Sequence, residues 1–398
     1  MAAAPPSDAP AVVLGAGYAG LRVAHEIRRR SRKEIPVVLV DRSPVHVLRT
    51  ELYEIGAIAD STKTRRKFAV PLEELVRRDG IRFHQGTVQS IDLDARQVDL
   101  GSERLAYRSL AVCLGNVVAF YGVLGADAHT FQVYRYSGAM KLAEAMRELE
   151  ERSPEMPPGR RPRVVVIGGG STGTEVAAEI ATADWRRITG RDARPPEVIL
   201  VCGALPFLAG FSAGLIRHAR AMLYEAGVVL HEGANVREVQ PDKVILDNGT
   251  EFGFDVAVWA AGIQAPEFVR ALPVPHGKGG RIRVNEFLQV EGRPGVFGVG
   301  DVVQFEDPET HMIVPSTAQA ALAEAPVAAA NLVADWFGRP LRPFRYHERG
   351  VVVALGVGRG VAKFNRVTIW GSPARLLKTL VEKEYETATV HGRKPPGL

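Results

Sequence analysis

The sequence predicts an α/β protein that builds one plan twice, and two stretches carry that prediction. Residues 11–27 read AVVLGAGYAGLRVAHEI, and residues 164–180 read VVVIGGGSTGTEVAAEI. Each is an apolar strand, a GxGxxG turn and the opening of a helix, the arrangement that holds a dinucleotide pyrophosphate. Length is the third observation, because 398 residues exceed the size at which one core usually divides. The expected architecture is two Rossmann-like dinucleotide-binding domains followed by a small C-terminal α+β segment.

In the first unit, Val12–Leu14 form the strand. Gly15 permits the tight turn, Gly17 lets backbone approach the pyrophosphate, and Gly20 lets helix pack on strand. The helix LRVAHEIRRR follows, then the strand VVLV (37–40), which ends at Asp41, placed to accept hydrogen bonds from a ribose. Next come IRFHQGTVQSID (81–92), a hairpin, and LAVCLGN (110–116), an apolar strand running into glycine.

The linker ERSPEMPPGRRPR (151–163) separates the units. In the second, Val164–Ile167 lead into Gly168, Gly170 and Gly173. Glu175 is expected in the first turn of the next helix, where an acid suits the helix dipole. The strand VILV (198–201) ends in Cys202 rather than an acid, and no arginine stands beside it, so NADH and NADPH both stay open. VVLHEGANVREV (228–239), a hairpin turning at Asn248-Gly249, and VAVWAAGI (256–263) repeat the order of the first unit. Later, GVFGVGDVV (295–303) ends near Gly300-Asp301 and precedes the helical run TAQAALAEAPVAAANLVADWF. A strand-end aspartate there can contact a flavin's ribityl or phosphate groups. Two strands and a helix from about Ala374 to Glu384 close the chain.

Composition excludes several classes. The net charge of +5 is diluted over a long chain, and RRRSRK (28–33) reads as a solvated helix end, so no nucleic acid is expected. Cys113 and Cys202 sit in separate apolar runs without CxxC, which predicts neither a disulfide framework nor a zinc site. MAAAPPSDAP lacks the pattern of a signal peptide, and no apolar run reaches the roughly 18 residues that a spanning helix needs. A cytoplasmic setting is expected. HExxH is missing from the sequence, and Ser171, Cys113 and Cys202 read as structural, so no protein nucleophile or metal is expected.

Two dinucleotide loops, two strand–glycine turns and a late Gly-Asp resemble the two-dinucleotide-binding-domain flavoproteins, in which one loop holds FAD and the other NAD(P)H. Within them the chain most resembles the type II NADH dehydrogenases, the single-subunit, non-proton-pumping NADH:quinone oxidoreductases of respiratory chains. The stretches that carry the likeness are HVLRTELYEIGAIA (46–59), GGGSTGTE (168–175), PSTAQAALAEA (315–325) and PFRYHERGVVVALG (343–356).

The resemblance implies FAD-binding segments at 8–120 and 265–335, an NAD(P)H-binding domain at 121–264, and a C-terminal segment, 336–398, with a membrane-surface helix. It implies that Gly15, Gly17, Gly20 and Asp41 bind the FAD pyrophosphate and ribose, with Val88 by the adenine. Thr50, Gly115, Gly300, Asp301 and Ala318 would surround the ribityl and isoalloxazine. Gly168, Gly170, Thr172, Gly173 and Gly262 would hold the nicotinamide cofactor, and Cys202 takes the strand-end position beside its ribose. Glu175 would act near nicotinamide and flavin, and Gln319 at a quinone pocket. A homodimer, and attachment to the inner face of the plasma membrane, are also implied.

The chain departs from the family in places. The second glutamine of AQxAxQ is Ala323, followed by Glu324, and a lysine often found near the quinone falls on Thr368. SPARLLKTLVEKEY carries Leu376, Leu377, Leu380 and Val381 between Lys378 and Lys383, a stripe that fits a membrane interface or a helix packed on its own domain. The polar tail ETATVHGRKPPGL keeps a soluble quinone or a small iron–sulfur protein open as acceptor, and a flavin-bearing sensor with little turnover is a further alternative. Sulfide:quinone chemistry would need paired redox cysteines, and these two lie 89 residues apart.

Overall fold

The computed structural model describes residues 8–60, 68–203 and 206–391, with the side chains of 388–391 set aside. The first sheet is all parallel, in the order Val296–Gly298, Ser109–Val112, Ala11–Leu14, Val37–Asp41, Arg82–Gln85. The second repeats it: Val256–Trp259, Arg163–Ile167, Glu197–Cys202, Val228–Glu232, again all parallel. Parallel sheets are covered on both faces, which is why Ala11–Leu14, Ser109–Val112 and Val256–Trp259 are buried at every position and apolar at all but Ser109. Each sheet carries a three-stranded antiparallel meander beside it, at 90–106 and at 236–253.

The loop closures repeat as well. Gly15 N donates to Val40 O at 2.7 Å, and Gly168 N donates to Val201 O at 2.8 Å. Two connections join the units, Val117–Val118 and Ile263–Gln264, paired antiparallel. The helix Ala318–Trp336 packs on the first unit's helix Tyr18–Arg30. The chain closes with an antiparallel sheet of three strands, Val351–Ala354, Gly360–Phe364 and Val367–Gly371, and the helix Ser372–His391. That helix runs well past the expected Glu384.

Candidate dinucleotide and electron-transfer site

The two glycine loops are built alike. The first glycine of each takes a positive φ, +94° at Gly15 and +121° at Gly168, which side chains resist. A Cβ on the third would fall 1.7 Å from Gly15 O at Gly20, and 1.9 Å from Gly168 O at Gly173. The middle glycines differ from both. Gly17 (φ −74°, ψ −164°) and Gly170 (φ −77°, ψ −177°) are in nearly the same extended conformation, and a Cβ on either would meet nothing within 4 Å. Each is also the N-cap of its helix, and neither helix start has a side-chain cap. By contrast, Ser212 caps the helix Ala213–Glu225 and Thr317 caps Ala318–Trp336. Two helix N-termini thus face open space with free amides, the arrangement that binds phosphate.

Around the first loop, Asp41 stands at its strand end. Its carboxylate accepts from Ala16 N at 2.7 Å and Ser43 N at 2.8 Å. Arg42, Arg49 and Arg135 crowd one corner, and burial together with the first two holds the Arg135 guanidinium below its usual pKa. Gly115 (φ +65°) opens toward Arg49 and Tyr134. Asp301 is bonded to Tyr134 and faced by Arg49 and Arg281, while burial raises its pKa. Gly300 (φ +79°) donates its amide to Glu324 at 2.6 Å, and burial pushes that carboxyl up to about 8. Thr50 is hydrogen-bonded to the Tyr18 hydroxyl at 2.8 Å. Val88 is buried in the first unit's core, and Ala318 opens its helix directly after the Thr317 cap.

Thr172 is exposed in the first turn behind Gly170, and the wall opposite is the turn at Ala260–Gly262, against which Gly168 packs. Several expectations change here. Glu175 lies in the second turn, not the first, and is buried. Its carboxylate accepts from Ala354 N at 3.0 Å and is bonded to Lys378 of the C-terminal helix. The lysine bonded to Glu175 is Lys378, and Thr368 lies across from Lys363 in the terminal sheet. Cys202 turns its side chain into the second unit's core. It is buried, its sulfur would be 2.3 Å from a Cβ on Gly169, and burial pushes the thiol up to about 12. Gln319 spends its amide on Gly350 O (3.2 Å), Tyr346 (2.9 Å) and Arg349 N (3.2 Å), so it fixes the 346–350 segment.

The C-terminal helix is inverted. Its inner face is charged: Arg375 bonds Glu54 at 2.7 Å, Lys378 bonds Glu175, and Glu382 lies near both cations. Burial raises Glu382 to about 7. Tyr385 donates to His46 Nε2 at 3.2 Å, and His46 Nδ1 donates to Ala16 O at 2.8 Å. Burial lowers His46 to about 4, so it is neutral. The outer face is apolar, with Leu376 61% and Leu380 54% exposed, beside exposed Val381, Val367 and Trp370. The leucines were visible in sequence. Arg49, Tyr134 and the Glu54–Arg375 pair were not, because no motif marks them.

Among characterised proteins, the chain is 28% identical over 380 residues to demethylphylloquinone reductase NdbB of Synechocystis, covering 93% of this chain and 90% of that one. It is 28% identical over 388 residues to type II NADH:quinone oxidoreductase of Staphylococcus aureus, covering 93% of each. Among solved structures it superposes on sulfide:quinone oxidoreductase from Aquifex aeolicus with TM-score 0.80, 21% identity and coverage of 97% and 92%. It superposes on NDH2 from Plasmodium falciparum, solved with NADH, with TM-score 0.79, 14% identity and 94% coverage of both. A family match extends over residues 9–325, and on it the chain belongs to the pyridine nucleotide-disulphide oxidoreductase family.

Proposed function

We propose that the chain is an FAD-dependent NAD(P)H:quinone oxidoreductase. The observation that carries this reading is the pair of uncapped helix N-termini at Gly17 and Gly170, each behind a glycine whose open side has room for a pyrophosphate. One protein needs two such sites when it brings two dinucleotides together. The residues present fit FAD in the first. Open space at Gly17, free amides, and the positive corner of Arg42, Arg49 and Arg135 suit a pyrophosphate. When bound there, FAD would supply the redox chemistry that links the nicotinamide to a quinone. The rest is positioning. Asp41 holds the first loop closed through Ala16 and presents its remaining lone pairs at the strand end, where a ribose would be held. Asp301, held by Tyr134, sets the polar side of the flavin pocket. Strand Val296–Gly298 completes the first sheet, which supports assigning 265–335 to the flavin unit. Lys378, bonded to Glu175 and set over the Tyr53 ring, stands where both units and the C-terminal helix meet.

Sulfide oxidation is disfavoured: Cys113 and Cys202 are free and buried in different cores. The outward leucines favour a quinone drawn from a membrane surface, with the C-terminal helix lying in the interface. Among the described residues, no helix is long and apolar enough to cross a membrane.

Anaerobic stopped-flow absorbance tests the proposal. Mixing with NADH or NADPH should bleach the flavin band at about 450 nm, and a short-chain quinone should restore it. Bleaching without recovery would move the acceptor elsewhere, and no bleaching with either nucleotide would sink the hydride-transfer reading.

A further inference from the structure

Beside the crossing strands, residues 119–123 form a tight arch over the second site. Ala119 N donates to Gly262 O at 3.0 Å, and Trp259 Nε1 donates to Ala119 O at 2.9 Å. Phe120 packs on the Trp259 ring, 5.7 Å between centroids. The chain then reverses: Val123 N donates to Phe120 O at 3.0 Å, with φ +52° at Tyr121 and +74° at Gly122. Positive φ at both central residues is the type I′ pattern, whose first central position favours Asn, Asp or Gly. A tyrosine there is strained.

Packing does not offset that strain. Tyr121 is 69% exposed, and Gly122 has nothing within 4 Å of a built Cβ. What the ring does touch is Gly262, where a Cβ would lie 2.0 Å from the Tyr121 hydroxyl. Gly262 ends the turn that walls the second glycine loop, and the chain leaves it as Ile263–Gln264 to pair with Val117–Val118, just beyond Gly115 of the first unit. The ring therefore stands at the end of the second site nearest the first, away from the Cys202 strand end where an adenosine ribose belongs.

We propose that Tyr121 covers the nicotinamide end of the second site, swinging off Gly262 as the dinucleotide enters and then packing on its nicotinamide. This rests on the second loop holding NAD(P)H. The strained, unpacked tyrosine is then explained by its contact with substrate. Anchors at Ala119 and Phe120, and the unhindered Gly122, give the ring a pivot.

Calorimetric titration of the holoenzyme with NAD⁺ and with ADP-ribose, which lacks the nicotinamide, tests it. Tyr121→Ala should weaken NAD⁺ by about 3–10-fold and leave ADP-ribose within about twofold, while Tyr121→Phe keeps both. Tyr121→Asn, which suits the left-handed backbone, should melt higher than the parent yet lose NAD⁺ affinity as Tyr121→Ala does. Equal losses for both ligands, or unchanged NAD⁺ binding in Tyr121→Ala, would overturn the proposal. A parent protein that binds neither ligand would instead overturn the assignment of the second loop, and the proposal with it.

Discussion

On the proposed reading Gly17 is a glycine for its ligand's sake, whereas Gly20 is one for the fold's. The extended backbone of Gly17 accepts a side chain without strain, and a Cβ there points into open space. Gly17→Val should therefore purify folded but lose FAD affinity by roughly tenfold or more, since the methyls fill the pyrophosphate space. Circular dichroism with flavin absorbance reads both, and a fully flavinated variant would contradict the assignment. Cys202 is the opposite case, because its thiol fills the space beneath Gly169. Cys202→Glu should cost on the order of 2–4 kcal/mol by burying a carboxylate and leave the NADH/NADPH ratio unchanged. A folded variant with a shifted ratio would refute that placement. Glu150 is fully buried, neither carboxylate oxygen has a hydrogen-bond partner, and burial raises it to about 8 from 4.5. Folding must then keep a proton on it. Its contribution is intact below pH 4.5 and is lost as pH rises through about 8. Glu150→Leu should raise the melting temperature, by about 1–3 kcal/mol equivalent at pH 8 and less at pH 5. An equal shift at both would mean that Glu150 stays ionised.

At the scale of elements, the C-terminal helix departs most from its sequence pattern. A leucine stripe flanked by lysines normally marks an inward face. Here Glu54 and Glu175 offer partners to Arg375 and Lys378, so the charged face turns in and Leu376 and Leu380 turn out. Replacing both leucines by glutamate should abolish co-sedimentation with anionic lipid vesicles while turnover with a soluble quinone stays within about twofold. Retained sedimentation would place the membrane contact elsewhere. The same comparison explains what sequence could reveal. Each strand–glycine–helix unit is local, its geometry fixed by Gly15 and Gly168, whose positive φ side chains resist, and by Gly20 and Gly173, which leave no room for a Cβ. Both sheets and both loops were thus readable. The Glu175–Lys378 bond joins residues 203 apart, and neither belongs to a spacing rule, so no pattern in the sequence pairs them. Cys202 was read from strand order alone, which gives a position along the sheet and not whether Gly169 covers it.

Across the whole molecule, the last helix fastens parts that otherwise keep separate cores. Tyr385 reaches His46 beside the first loop, Arg375 takes Glu54, and Lys378 takes Glu175 of the second unit. The joint sets two cations, Arg375 and Lys378, against three carboxylates, Glu54, Glu175 and Glu382. It balances only while Glu382 keeps its proton. Because burial raises Glu382 from 4.5 to about 7, its contribution is whole below pH 4.5 and fades as pH climbs through about 7. Hydrogen exchange should therefore show helix residues 372–387 opening more readily at pH 8 than at pH 6, after correction for the intrinsic exchange rate. Glu382→Gln should flatten that difference. Lys378→Met should strip protection from the helix at both pH values, since breaking a buried pair from one side costs about 3–5 kcal/mol. Strands Ala11–Leu14 and Arg163–Ile167 should stay protected throughout, because their cores do not depend on the joint. If the helix kept its protection in Lys378→Met, its attachment would lie in its few buried apolar contacts, such as Ala374, and the charged joint would serve proton handling alone.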